Sequence, residues 1–341
     1  MLFCKRKGDF IMAKYRAMID SMGNYFPTKI VNNYDLEKKV DTTDEWIRTR
    51  TGMFERRFAA DNEASSDMAI KAAENAIFGS NTTRTKDIEM IIVGTISGDH
   101  AFPSTACILQ KKLGLKDIPC FDVSAGCSGF IYGLDVAKQY IENGAVNTIL
   151  VIGVELLTRL INWNDRGTCV LFGDGAGAAI VKRSDNSISH IIDSKITSDA
   201  SDWELLFQKA GGCRYPASKE TVENDWHTVY MEGNKIFKHA VKAMYGVSMD
   251  VLKRNNFSLK DVDWIIPHQA NNRIIEAVAE RFNAPKDKVI VTIERFANTS
   301  SASVPMAMTE AIKEGKIRRG DIVLLTAFGA GLTYGTTLLR Y

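Results

Sequence analysis

The chain has 341 residues, 45% hydrophobic and 25% charged, with 43 Lys and Arg against 41 Asp and Glu. That length supports a sizeable core in one large domain or two, and the net charge of +2 makes no case for nucleic acid as a partner. No apolar run is long enough to span a membrane, and the charged start, Met1 to Gly8, lacks the apolar stretch of a signal peptide.

Residues 1–14 read as an N-terminal extension, with Met12 as an alternative start. Strand patterns follow at 15–21, 90–95, 118–123, 148–154, 177–181, 264–267, 289–293 and 322–327. Helical patterns fall at 35–40, 43–50, 65–77, 104–113, 131–141, 235–254, 273–281 and 302–314. Thr43 is a candidate N-cap. Residues 194–224 read as an irregular connection. Strand and helix alternate almost throughout, which predicts an α/β protein with mostly parallel pairing. The six Cys, at 4, 107, 120, 127, 169 and 213, form no CxxC pair, which suits a reducing cytoplasm. The five His are dispersed, so no metal site is expected.

Two ordered echoes suggest a duplication. Asp87 to Ile92 resembles Asp261 to Ile266, and Phe172 to Gly177 resembles Phe328 to Gly331, each before an apolar run. The expected division is 15–185 and 186–341, with one site drawing on both halves.

Three stretches carry chemistry. Asp122-Val123-Ser124-Ala125-Gly126-Cys127-Ser128-Gly129-Phe130 places a thiol where a strand turns into a helix. Small residues let the chain bend and a ligand approach. The free N–H groups of a helix start predict a lowered thiol pKa and a nucleophilic thiolate. Pro267-His268-Gln269-Ala270-Asn271 and Phe296-Ala297-Asn298-Thr299-Ser300 each follow a predicted strand, where α/β sheets place their sites. Cys127, His268 and Asn298 fit either a hydrolase-like triad or a condensing site. Taken singly, His268 equally suits a structural role and Asn298 a helix cap.

These segments, with Val40 to Gly52, Ala101 to Ser104, Asp165 to Thr168 and Ala327 to Gly329, resemble the β-ketoacyl-acyl-carrier-protein synthase III family of thiolase-like condensing enzymes. The likeness runs from about Tyr15 to Tyr341. It implies a five-layered αβαβα thiolase fold of two duplicated halves, a cytoplasmic homodimer, and an acyltransferase that needs no cofactor or metal. The implied reaction joins an acyl-CoA primer, acetyl-CoA foremost, to malonyl-acyl-carrier protein. Cys127, His268 and Asn298 would be catalytic, and the N–H groups of Cys127 and Ala330 would form the oxyanion hole. Trp46, Arg50, Arg166, Asn271, Asn234 and Phe237 would bind CoA. Phe102, Phe130, Leu157, Leu171, Phe172 and Leu205 would shape the acyl pocket, with Phe130 as the gating aromatic and Phe102 reaching a partner subunit. Arg273 would dock the acidic carrier protein.

Three positions depart from the family pattern: Ala297 and Ala330 stand in place of Gly, and Tyr334 in place of Trp. None removes a catalytic group. They leave room for a specialised branch with another starter or another acceptor. A silent partner subunit of the same fold is the non-enzymatic rival.

Overall fold

The computed structural model describes residues 15–184 and 188–341. The predicted extension at 1–14 lies outside the described residues, as do 185–187 at the expected division. The first half contains β1 (Arg16–Tyr25), β2 (Lys29–Asn32), β3 (Glu55–Phe58), β4 (Met90–Gly94), β5 (Cys120–Val123), β6 (Thr148–Leu156) and β7 (Asp174–Ser184). The second contains β8 (His190–Ser198), β9 (Leu206–Gln208), β10 (Val229–Met231), β11 (Trp264–Pro267), β12 (Ile322–Gly329) and β13 (Thr333–Arg340).

Two main sheets form, in the orders β1-β7-β6-β4-β5 and β8-β13-β12-β11. Val289 makes a single bridge to Ile265 where a fifth strand of the second sheet would lie. The orders correspond strand for strand, and the echoed segments occupy equivalent places. One precedes β4 and β11; the other leads into β7 and β13. Both sheets are mixed rather than mostly parallel: β4 is parallel to β5 and β6, and β11 to β12, while β7 and β13 run antiparallel to both of their neighbours.

The layers follow from side-chain alternation along the strands. On β6, Ile149 and Val151 face a central core, while Leu150, Ile152 and Val154 face an outer one. On β12, Val323, Leu325 and Ala327 face the same central core, while Leu324 and Phe328 face the opposite outer layer. The helices Gly129–Glu142 and Ser303–Lys313 lie in the centre, between the sheets. Ser65–Phe78 and Thr105–Lys112 cover one outside, and Gly233–Arg254 and Asn272–Phe282 the other. Apolar residues on two faces of every central strand thus require five layers.

Two expectations at the second sheet change. Residues 190–198 form the edge strand β8, whose one neighbour in the sheet is β13. Most of its side chains are only partly buried, so its sequence shows little apolar alternation. The strand expected at 289–293 is reduced to the Val289 bridge, and Ile293–Phe296 is helical.

Candidate active site

The central helices begin at a backbone-to-backbone contact. Gly94 and Gly129 are packed so closely that a Cβ on Gly94 would fall 2.5 Å from the Gly129 carbonyl carbon. A Cβ on Gly329 would fall 2.4 Å from the Cys127 nitrogen, and one on Gly126, whose φ is +52°, would fall 2.6 Å from the Ala330 nitrogen. Only glycine permits these approaches. They bring the Cys127 turn of the first half against the Gly329–Ala330 turn of the second.

Cys127 sits in a 3-10 turn, Gly126–Ser128, that runs directly into the helix Gly129–Glu142. Its side chain is reachable from a cleft of about 1040 Å³ but ringed by protein. Burial pushes the thiol up from 9.0 to about 12, against a lowering hydrogen bond from Ser300. This reverses the expected low pKa. A helix terminus contributes about 0.3–1 kcal/mol, less than a tenfold change in ionisation, and burial outweighs it.

His268 follows β11 and is buried; its N–H donates to the Thr326 carbonyl at 2.8 Å. Burial holds its pKa down at about 3, so the ring is neutral at ordinary pH. Its Nδ1 lies 2.6 Å from the Ser303 Oγ, which already accepts from the Gln269 N–H at 3.3 Å. In the tautomer in which the Ser303 hydroxyl donates to Nδ1, the ring proton sits on Nε2, ready to donate. Asn298 is fixed through its backbone, donating to Leu171 and accepting from Gly173. Its Oδ1 accepts from the Ser300 N–H at 2.8 Å, so its NH₂ is the group that can donate to a ligand.

Cys127, His268, Asn298 and Ala330 line one cleft, together with Trp46, Arg50, Asn234, Phe237, Asn271 and Arg273. Arg50 and Arg273 are exposed. Arg166 does not line the cleft. It stands beside it, with its guanidinium 5.2 Å from the Trp46 ring centre and donating to the Asp41 carbonyl at 2.9 Å. The Arg50 guanidinium lies 5.3 Å from the same ring. An indole flanked by two cations suits a nucleotide base and its phosphates.

Of the expected acyl-pocket residues, Leu157, Leu171 and Phe172 line the cleft. Three do not. Phe130 is turned into the central core with Ile131 and Leu134, because it lies on the inward face of its helix. Leu205 packs into the outer helix layer with Ile236 and Ala240, and its neighbour Leu206 takes the place at the cleft. Phe102 is 86% exposed, outside this chain's own cleft. Sequence reasoning missed Glu155, Ser300 and Ser303. The small polar loop 298–303 was the signal for the two serines; nothing marked the acid inside an apolar strand.

Two pseudo-equivalent halves that bring a thiol, a neutral imidazole and a carboxamide to one cleft define a condensing enzyme of the thiolase fold. The models of 3-oxoacyl-[acyl-carrier-protein] synthase III and of its C-terminal region match residues 121–200 and 252–341. The β-ketoacyl-[acyl-carrier-protein] synthase III of Caldanaerobacter subterraneus subsp. tengcongensis is 49% identical over 96% of this chain and 98% of its own length. That of Campylobacter fetus is 48% identical over the same shares. The crystal structure of the Aquifex aeolicus 3-oxoacyl-[acyl-carrier-protein] synthase III superposes with a TM-score of 0.88 at 46% identity, over 95% of this chain and 100% of that one. The chain belongs to the β-ketoacyl-acyl-carrier-protein synthase III family.

Proposed function

We propose that this acyltransferase starts type II fatty acid synthesis with Cys127 as nucleophile and with His268 and Asn298 as electrostatic partners. A synthase III condenses an acyl-CoA with malonyl-acyl-carrier protein to give a 3-oxoacyl-acyl-carrier protein. The observation that carries the division of roles is the shared cleft: one sulfur and two neutral donors, with exposed arginines along the same wall.

In the first half-reaction the Cys127 sulfur attacks the thioester carbonyl, and CoA leaves as its thiol. The Cys127 and Ala330 N–H groups stabilise the oxyanion in this reading. Trp46, Arg50 and Arg166 hold the nucleotide end of CoA, with Asn234, Phe237 and Asn271 along its arm. In the second, loss of CO₂ from the malonyl group leaves an enolate. His268 Nε2–H and the Asn298 NH₂ donate to its oxygen. A histidine held near pKa 3 is a poor base and a neutral donor. The enolate carbon then attacks the acyl-Cys127 carbonyl and releases the thiolate. No step runs through a metal or cofactor.

Acetyl-CoA is the proposed primer, the cytoplasm the proposed location, and a homodimer the proposed assembly, in which the exposed Phe102 meets the second subunit. Arg273 is the proposed docking point for the acidic carrier protein. No helix among the described residues is long and apolar enough to cross a membrane. No group of three or more His, Cys, Asp or Glu among them is placed to hold a metal. Turnover with a panel of acyl-CoAs and with malonyl-acyl-carrier protein against other acceptors tests the reading. Greatest turnover with acetyl-CoA and malonyl-acyl-carrier protein supports it; preference for an oxygen or nitrogen acceptor overturns it.

A further inference from the structure

The reaction above leaves one buried acid without a part. Glu155 lies on β6 and is fully buried. Its Oε2 accepts from the Ser97 hydroxyl at 2.5 Å, the Ile96 N–H at 3.2 Å and the Thr95 hydroxyl at 3.3 Å. That oxygen is thus anchored to the chain just past β4. Its Oε1 accepts from the second half, from the Ser300 hydroxyl at 3.1 Å. The Ser301 hydroxyl lies 3.0 Å from the same oxygen but closer, at 2.7 Å, to the Gly94 carbonyl, which competes for its single proton. All these partners are neutral. A carboxylate buried without a cation is costly even when well hydrogen-bonded, so stability is a weak reason for it to be there.

What the acid holds is the turn that orients Asn298. The backbone of Asn298 is fixed by Leu171 and Gly173, but those bonds leave the amide free to turn about its side-chain torsions. The Ser300 N–H stops it, donating to Oδ1 at 2.8 Å. With that bond made, Ser300 stands at φ +48°, the left-handed region that a residue with a Cβ disfavours. Such a conformation persists only where its surroundings fix it. The Ser300 hydroxyl is tied to Glu155, a partner 145 residues away in sequence. β6 is where such an acid belongs, because the turn packs directly on it at Gly153. Every link is a hydrogen bond: Ser97 to Glu155, Ser300 to Glu155, and Ser300 to Asn298 in the wall of the cleft.

We propose that Glu155 positions Asn298 for the decarboxylation step: it holds the Ser300 turn, whose N–H turns the Asn298 NH₂ toward the enolate oxygen. The proposal rests on the reading of Asn298 as an enolate donor. With Oδ1 taken by the Ser300 N–H, the carboxamide has only its NH₂ to offer a ligand. Without the anchor, Ser300 is released from its left-handed conformation and Oδ1 loses its donor. The amide then spends part of its time with oxygen toward the enolate, where an acceptor destabilises the developing charge. Errors in donor placement of this kind cost rate. Glu155 acts through Ser300 and is a positioning residue.

The test measures carbon dioxide release from malonyl-acyl-carrier protein by the full-length protein, in a cycle of variants. Glu155→Ala should slow release about tenfold. Glu155→Gln, which keeps a hydrogen-bonding tip of the same length, should recover most of that loss. Ser300→Ala removes only the hydroxyl and leaves the acid its donors from 95–97. It should slow release to a similar extent, and it carries the test if Glu155→Ala does not fold. In an Asn298→Ala background neither substitution should cost anything more, because the group they position is gone. An equal loss in both backgrounds assigns Glu155 a general structural role and overturns the proposal. Unchanged release in Glu155→Ala and Ser300→Ala overturns it as well. Unchanged release in Asn298→Ala alone overturns the reading of Asn298 as a donor, and the proposal with it.

Discussion

The two halves place equivalent turns at the start of the central helices, yet the turns differ in chemistry. In the first half, β5 leads through Gly126–Ser128 into Gly129–Glu142. In the second, the Val289 bridge is followed, through Asn298, by Ser300–Ala302 and Ser303–Lys313. They lean on adjacent strands, Gly129 on Gly94 of β4 and the Ser301 carbonyl on Gly153 of β6, where a Cβ would fall 2.3 Å from that oxygen. The first turn spends its small residues on close approach and carries the sulfur. The second is lined with hydroxyl and amide groups that orient Asn298 and His268. In the proposed reaction the first half supplies the nucleophile and the second the two side-chain donors.

The largest expected effect breaks the first turn. Cys127→Ser should abolish stable acyl-enzyme formation and lower kcat on the order of 10⁶-fold, as nucleophile loss does elsewhere. Steady-state condensation measures it.

Breaking the second turn should act on the other half-reaction. His268→Ala and Asn298→Ala should slow malonyl decarboxylation by about 10²- to 10³-fold, the usual cost of one oxyanion donor. In wild type, decarboxylation should show no inflection near 6.5, the ordinary histidine value. The ring stays neutral down to about pH 3, where protonation would remove the geometry of the neutral donor. Carbon dioxide release against pH checks both statements.

A smaller effect sharpens the contrast at the rim. Arg273→Glu should raise the KM for malonyl-acyl-carrier protein about tenfold, less so at high salt, and leave acyl-CoA labelling nearly unchanged. Arg50→Ala should do the reverse. Kinetics of each half-reaction at two salt concentrations separate them.

The smallest effect concerns the backbone before Asn298. Ala297 adopts φ 55° and ψ −156°, a region nearly confined to glycine. Ala297→Gly should relieve strain and gain about 1 kcal/mol after the entropy cost of glycine. Urea unfolding measures the gain.

Cys127, His268 and Asn298 were legible because each sits in a short turn of small or polar residues after a strand-like segment. Backbone geometry there constrains residue type more than packing does. The thiol's ionisation was not legible: sequence shows the helix start but not the walls that bury the sulfur. Glu155 was hidden because its partners Ser300 and Ser301 lie 145 and 146 residues away. Leu205 and Leu206 differ by one residue, and one-residue register decides which faces the cleft. Phe130 misled through nearness in sequence to Cys127: the thiol sits in the turn Gly126–Ser128, whereas Phe130 belongs to the helix that follows and packs with its core-facing residues.

The central claim is that Cys127 takes up the acyl group without help from His268 and Asn298, which serve the decarboxylation step. The most direct measurement is intact mass with peptide mapping after exposure to acetyl-CoA, for wild type, Cys127→Ser, His268→Ala and Asn298→Ala. The account predicts one acyl group on Cys127 in wild type and in both second-half variants, and none in Cys127→Ser. An acyl group mapped to another cysteine, or loss of acylation in His268→Ala and Asn298→Ala, would contradict it.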